Sequence, residues 1–206
     1  AVATSIVRAL AAHYGRALSP ETVSQLVYET EVILHGTPSG IDNTVVAYEK
    51  PVYFVDGKVD TFTIGKAFTL LIADTGIPSR TRDTVAAVRA RWEWKPSVYE
   101  MLFDRIGDLT QRAKGALAEG EISRVGRLMN ANQRFLSQLG VSSSALNMLI
   151  EAAHRAGALG AKLSGGGRGG CMIALVEEET CDDVRSALLA TQATTVISTT
   201  VPASPA

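Results

Sequence analysis

The sequence predicts an α+β protein in which a layered sheet is backed by a helical face. Two observations carry that reading. Strand-length runs are followed by a block of helical periodicity, after which the order changes to strand, helix, strand. The length of 206 residues also suits one large domain or two small ones, enough for a substantial core. A hydrophobic share of 46% with 20% charged residues places the chain among ordinary globular proteins rather than disordered ones.

Each element follows from a local signal. Val2, Ile6, Val7, Leu10 and Ala11 recur at helical spacing, and Gly15 closes that helix. Ser19-Pro20-Glu21 supplies a cap, a proline at the first helical position and an acid in the first turn. The helix it opens puts Val23, Leu26, Val27, Thr30 and Leu34 on one side and stops near His35-Gly36. Thr37 to Asn43 is rich in turn residues. Thr44 to Tyr48 and Val52 to Val55 read as strands joined through Glu49-Lys50-Pro51, and Asp56-Gly57 turns into a further strand over Val59 to Ile64. A domain boundary is expected near Gly65-Lys66.

Phe68 to Ala73 is a continuous apolar run of strand length, closed by Asp74-Thr75-Gly76. Helices are expected over Ser79 to Arg91, from Pro96 to about Ala118, and over Glu121 to Leu139. Ser142-Ser143 caps a helix through Leu146, Leu149 and Ile150. A loop from Gly157 to Gly170, a strand over Cys171 to Val176, a helix over Cys181 to Ala190 and a strand over Thr194 to Thr200 complete the order. The tail Ala203-Ser204-Pro205-Ala206 is expected to be loose.

Twenty Lys plus Arg against 21 Asp plus Glu leave a formal net charge of -1. Without a field of one sign, a broad nucleic-acid-binding role starts low, although a few local positive groups would suit a small anionic substrate. Arg80, Arg82, Arg89 and Arg91 with Trp92 and Trp94 form a local basic and aromatic series. That mixture can hold single strands, but its helical spacing favours a structural or substrate-steering role. Cys171 opens an apolar run and Cys181 sits near a helix start, so both read as unpaired and the setting as reducing and cytoplasmic. His13, His35 and His154, without a paired Cys-x-x-Cys, give zinc little support. No apolar stretch reaches the roughly 18 residues of a membrane span, and no signal-peptide pattern opens the chain. Ala1 to Leu10 reads as helix interior with neither initiator Met nor cap, so preceding sequence is expected to be absent from this chain.

Two segments concentrate chemistry. In Lys162-Leu163-Ser164-Gly165-Gly166-Gly167-Arg168-Gly169-Gly170, five of the six positions from 165 to 170 are glycine. Such density is costly in chain entropy and asks for a geometric reason. Backbone N–H groups could cradle phosphate oxygens, with Lys162 or Arg168 adding charge. The loop lacks the Gly-Lys-Ser/Thr ending of a Walker A loop and the downstream acid of a Rossmann fingerprint. A flexible turn or close backbone packing would also account for it. In His35-Gly36-Thr37-Pro38-Ser39-Gly40-Ile41-Asp42-Asn43, Asp42 could accept or orient a substrate hydroxyl proton, or be a turn acid. Glu31, late on the preceding helix, could ligate magnesium or remain a solvated helical residue.

Together, Glu31 with the His35–Asn43 loop and the segment Lys162–Cys171 resemble the mevalonate kinases of the GHMP kinase superfamily, with a likeness running from Ala1 to about Val201. The resemblance implies the GHMP kinase fold. Residues 1–66 would be the remainder of its N-terminal domain, and residues 67–206 an α/β-layered, ferredoxin-like C-terminal domain with added helices. It implies that Asp42 is the catalytic aspartate and Glu31 the magnesium ligand. By the same likeness His35, Ser39 and Gly40 shape the mevalonate pocket, Thr81 stands near the substrate, and Ser164, Gly165, Gly166, Gly167 and Arg168 lie close to the ATP phosphates. The family counterpart of that loop usually reads Gly-Ala-Gly-Gly-Gly, so Arg168 is a departure that leaves open whether it contacts phosphate or points to solvent.

The implied chemistry is transfer of the γ-phosphoryl group of ATP, with Mg2+, to the 5-hydroxyl of mevalonate in isoprenoid precursor synthesis. Related kinases acting on phosphomevalonate, another mevalonate hydroxyl, homoserine or a sugar stay open, as does a noncatalytic ligand-binding protein of the same fold. The family's N-terminal lysine and its Pro-x-Gly-x-Gly-Leu-Gly-Ser-Ser-Ala nucleotide loop do not occur in this chain. The resemblance therefore implies, as a partner, the missing N-terminal portion of the same protein, and leaves this chain alone without a complete ATP site. It allows a homodimer and involves neither nucleic acid nor membrane.

Overall fold

The structure, a computed structural model, describes residues 1–35 and 38–205, with Leu34 and His35 described by backbone alone. The chain divides into two compact units, Ala1–Thr63 and Ile64–Ala206. The expected cut near Gly65-Lys66 falls just inside the second unit. The Ile64 N–H donates to Ser204 Oγ at 2.8 Å and the Gly65 N–H to the Leu117 carbonyl at 2.9 Å, which ties this stretch to the second unit. The same pairing corrects the loose tail, because Ser204 N–H donates back to the Ile64 carbonyl at 2.8 Å.

The first unit contains α1 (Val2–His13), α2 (Pro20–His35), α3 (Ile41–Tyr48) and a two-stranded antiparallel hairpin of β1 (Val52–Val55) and β2 (Lys58–Thr61). Its small core is built on Val23, Val27 and Ala47, with Ala3, Val7, Leu18 and Tyr48 packed against them. α1 therefore uses only part of its apolar periodicity inward. Val2, Ile6 and Leu10 form a neighbouring stripe of the helix and are more than half exposed.

The strand expected over Thr44 to Tyr48 is instead most of helix α3. Its β-branched run is overridden by polar anchoring at the helix start. Asn43 Nδ2 donates to Ser24 O and Ser24 Oγ, each at 3.0 Å, and Ser24 Oγ lies 3.2 Å from Thr44 Oγ1. Asn43, Thr44 and Ala47 are the buried residues of α3, a helical spacing that no half-buried strand would show. The helix stops at Glu49, which takes the left-handed conformation with φ 52°.

The second unit contains β3 (Phe68–Asp74), α4 (Thr81–Trp94), α5 (Pro96–Ala118), α6 (Ile122–Gln138), α7 (Ser144–Arg155), β4 (Gly160–Ser164), β5 (Cys171–Val176), a 3-10 turn (Glu178–Thr180), α8 (Cys181–Ala190) and β6 (Thr195–Val201). The strands form one antiparallel sheet in the order β4-β5-β3-β6, the ferredoxin-like arrangement. Alternate residues of β3 and β5 enter two cores. Leu71, Ala73, Met172 and Ala174 pack with Leu146, Leu149 and Ile150 of α7 and with Val184 and Leu188 of α8. Leu70, Ile173 and Leu175 pack with Leu109 of α5 and with Val125, Leu128 and Met129 of α6. Burial on both faces explains why β3 and β5 read as unbroken apolar runs.

β4 lies within the stretch expected to be loop. Its sequence, Gly-Ala-Lys-Leu-Ser, has little strand propensity, and the register is set from outside. Leu163 pairs with Met172 of β5 on one side. On the other, Asn130 of α6 accepts from Ala161 N–H at 2.9 Å and donates to the Leu159 carbonyl at 3.3 Å, as a neighbouring strand would. Gln133 Oε1 accepts from Leu163 N–H at 2.9 Å. Helix and strand come this close because Gly126 and Gly160 face each other. A Cβ on Gly160 would stand 2.6 Å from Gly126 Cα. The edge strand is thus closed by amide side chains, which removes a row of unpaired backbone groups.

Two predictions follow from this edge. Asn130→Ala should cost about 1–3 kcal/mol in urea unfolding, the cost of buried polar groups left without partners. The control Gly115→Ala, whose added methyl meets nothing within 4 Å on α5, should stabilise by about 0.5–1 kcal/mol. The second concerns Lys162 on the same strand. Its Nζ donates to the Leu163 carbonyl at 2.8 Å, and burial holds the amine below the ordinary lysine value of 10.5. The penalty for the charged form is complete below the lowered folded value and fades as pH rises toward 10.5. Lys162→Met is therefore expected to raise Tm at neutral pH, with a gain that shrinks as pH approaches that value. Thermal unfolding of both proteins across the range tests it, and a pH-independent gain would reject desolvation as the cause.

Candidate functional site

The first unit positions its acid through a glycine. Gly40, buried at the N-cap of α3, holds φ 81°, a conformation that side-chain-bearing residues seldom adopt. Its carbonyl accepts from Thr44 Oγ1 at 2.6 Å, while Ser39 Oγ accepts from Ile41 N–H at 3.4 Å. This turn starts α3, so Asp42 is exposed in the first helical turn, where an anionic side chain suits the unpaired N–H groups. Ser24, Asn43 and Thr44 lock that turn onto α2 from beneath. Asp42 thus sits on a fixed platform with its carboxylate at the surface.

Ser39 and Gly40 share a cavity of about 400 Å3 with Ser24, Tyr28, Asn43 and Phe54. Asp42 is outside its lining and one residue away in sequence from Asn43, which is inside it. Glu31 is half-buried on α2, one helical turn beyond Tyr28. The side chain of His35 lies outside the described residues. Among the described residues, no three His, Cys, Asp or Glu side chains gather as a metal cage. A magnesium ion does not need one, because it keeps several waters and takes further oxygens from substrate phosphates. Glu31 fits the role of a single carboxylate ligand on those terms.

In the second unit the glycine loop joins β4 to β5, and Ser164, the last residue of β4, pairs with Cys171. Most of the glycine density answers to packing. A Cβ on Gly167 would stand 2.1 Å from the Val141 carbonyl, one on Gly169 2.5 Å from the Ile77 carbonyl, and one on Gly166 2.7 Å from Thr81 Oγ1. Gly165 is different. It is exposed, with φ 84° and nothing near its Cβ position. Thr81, at the start of α4, thus stands directly against Gly166 of the loop.

The hydrogen bonds divide the loop's backbone into committed and free groups. Arg168 N–H donates to the Val141 carbonyl at 2.7 Å and Gly170 N–H to the Ile77 carbonyl at 2.8 Å. Among the described residues the N–H groups of Gly165, Gly166, Gly167 and Gly169 take no protein acceptor, and since Gly167 and Gly169 are buried, Gly165 and Gly166 are the two placed to face an anion. Arg168 is exposed and left-handed at φ 60°, with its Nε at 3.5 Å from the Gly140 carbonyl. Beside the loop, Asp74 and burial together push the Cys171 thiol up from its ordinary value, burial being the larger cause.

Sequence reasoning missed the residues that hold these groups. Ser24 sits 19 positions from Asn43, and Ser79 donates to the Gly167 carbonyl at 2.6 Å across 88 positions. Neither pairing leaves a local signal. Only the Ser and Asn content of the motifs hinted at such anchoring.

Comparison with known proteins places the chain. Residues 1–50 match the family described as GHMP kinases N terminal domain, and residues 113–193 match GHMP kinases C terminal. The mevalonate kinase of Pyrococcus horikoshii is 37% identical over 180 residues, covering 85% of this chain and 53% of that protein. The mevalonate kinase of Thermococcus sibiricus is 35% identical over 184 residues, covering 87% of this chain and 55% of that protein. The chain thus spans about half the length of these curated relatives. The crystal structure of L. major mevalonate kinase in complex with R-mevalonate superposes with a TM-score of 0.90 at 32% identity, over 99% of this chain and 65% of that one. The Streptococcus pneumoniae phosphomevalonate kinase, at 15% identity and a TM-score of 0.78, shares the fold. With both family halves matched in order, and with relatives and solved structures agreeing, the chain belongs to the GHMP kinase family.

Proposed function

We propose that this chain is part of an ATP-dependent kinase that transfers the γ-phosphoryl group to the 5-hydroxyl of mevalonate. The observation that carries this reading is the likeness to L. major mevalonate kinase at a TM-score of 0.90 along 99% of the chain. Each unit carries its own candidate residues. In the first, Asp42 takes or orients the acceptor hydroxyl proton from a turn whose backbone is fixed by Gly40 and Asn43. His35, Ser39 and Gly40 shape the acceptor side. In the second, Thr81 contacts the substrate. Ser164, Gly165, Gly166, Gly167 and Arg168 form the phosphate side, with free N–H groups at Gly165 and Gly166 and a positive charge at Arg168.

The acceptor oxygen attacks the γ-phosphorus as the bond to the bridging oxygen of the leaving nucleoside diphosphate breaks. Glu31 would hold Mg2+, an ion that would supply charge neutralisation at the phosphate oxygens. Gly165 is exposed with open space about its Cβ position, so an anion can approach that stretch of backbone. The exposed stripe of Val2, Ile6 and Leu10 on α1 suits a further apolar layer, which the longer relatives have the length to supply. A cytoplasmic setting belongs to the same reading. Among the described residues no helix is long and apolar enough to cross a membrane.

The test is a product assay on the full gene product with ATP and a panel of mevalonate, its phosphates, homoserine and sugars. Mevalonate should be phosphorylated with clear preference, and phosphorylation of another member alone would overturn the assignment. In the same assay Asp42→Asn should lower kcat by about 10²–10⁴-fold, the usual reach of general acid–base catalysis, while nucleotide binding persists. A near-normal kcat would remove Asp42 from the central role.

A further inference from the structure

We propose that Ser79 is a positioning residue that fixes the polarity of the glycine loop toward an anion, an inference that rests on reading this loop as the phosphate side. The peptide joining Gly167 to Arg168 is held at both ends. Ser79 Oγ donates to the Gly167 carbonyl at 2.6 Å, and Arg168 N–H donates to the Val141 carbonyl at 2.7 Å. Both residues flanking this peptide have positive φ, 78° at Gly167 and 60° at Arg168. In a run of glycines the backbone has several orientations of similar energy, because no Cβ selects among them. A carbonyl turned to the mouth of the loop would present the negative end of its dipole where an anion must sit.

Ser79 removes that alternative. Its hydroxyl is half-buried, in the segment that runs from the end of β3 to the start of α4. That segment is itself a template for the loop. Thr75 N–H and Thr75 Oγ1 both donate to the Gly170 carbonyl, at 3.0 and 2.8 Å, and Gly170 N–H donates to the Ile77 carbonyl at 2.8 Å. These bonds fix the far end of the loop near Gly170. Among the described residues, Ser79 alone supplies a side-chain donor to its middle, close in the chain to the N–H groups of Gly165 and Gly166. Two residues on, Thr81 abuts Gly166, so the backbone around Ser79 stays in place when the hydroxyl is removed. The charged residues that flank these segments in sequence are Lys162, Arg168, Arg80 and Arg82 on the positive side and Asp74 and Asp83 on the negative side. Loss of the Ser79 hydroxyl therefore weakens anion binding and leaves the acceptor side unaffected.

The experiment uses Ser79→Ala, with Ser79→Thr as the conservative rescue. In the full gene product, Ser79→Ala should raise KM for ATP by about 3- to 10-fold, the equivalent of roughly one hydrogen bond. KM for the acceptor should move by less than about 2-fold, and Ser79→Thr should restore the ATP value. Independently of turnover, inorganic tripolyphosphate should shift the amide resonances of Gly165 and Gly166 in this chain, with several-fold weaker affinity in Ser79→Ala. A lower Tm with unchanged KM for ATP and unchanged tripolyphosphate affinity would make the hydroxyl merely structural and overturn the proposal. So would a native chain whose Gly165 and Gly166 amides ignore tripolyphosphate. If mevalonate is not phosphorylated but the tripolyphosphate series behaves as stated, the reaction assignment falls and the role of Ser79 stands.

Discussion

The second unit is organised by one close approach: the Gly167 backbone against the Val141 carbonyl, where even a methyl group would stand 2.1 Å from oxygen. Contacts that tight are possible only between backbones. Once it is made, the neighbours have little freedom. The turn after α6 must present Val141, the β4–β5 connection must pass beneath it, and Gly169 and Gly166 are then carried against Ile77 and Thr81. The glycine loop is therefore a joint between three chain segments.

α6 sets the scale of that joint. Gly126 lets its first half lie on Gly160, and Asn130 and Gln133 bond the free edge of β4. Its C-terminal carbonyl at Leu139 receives the Arg91 guanidinium at 2.9 Å, a positive group at the negative end of a helix. Gln133 continues the connection, donating to Ser142 Oγ at 3.0 Å, and Ser142 in turn donates to Asn147 Oδ1 at 2.6 Å on α7. A single helix thereby fixes the register of β4 at one end and the seat of the glycine loop at the other. This explains how a strand with poor intrinsic propensity is held in place beside a loop that needs sub-ångström placement.

What was legible in the sequence was what depends on near neighbours. The helix over Cys181–Ala190, the helix from Pro96 and the strand Cys171–Val176 all follow from local signals, namely a first-turn acidic pair, a proline at N1 and an apolar run. Thr44 to Tyr48 and Gly160 to Ser164 were illegible for the opposite reason. The first is helical because Asn43 and Thr44 plug into Ser24, and the second is a strand because Asn130 and Gln133 pair its edge. The site divides the same way. Asp42, Ser39, Gly40 and the glycine loop are compact motifs, whereas Ser79 and Val141 act on the loop across long stretches of chain.

Glycine-rich loops invite the inference that every glycine serves the ligand, and the geometry argues for a division of labour. Gly166, Gly167 and Gly169 are glycine because a neighbour occupies the place of a side chain, and the peptide between Gly167 and Arg168 is fully committed to protein partners. What stays outside the buried part of the loop is narrow: two adjacent N–H groups at Gly165 and Gly166, with one exposed guanidinium at Arg168. Two donors give modest affinity in water, so their value lies in direction. An array that cannot rearrange offers its dipoles to a phosphate without first being ordered, and that preorganisation is what electrostatic catalysis draws on. On the proposed reading, the packing contacts would serve the chemistry indirectly, by holding the N–H groups of Gly165 and Gly166 in place.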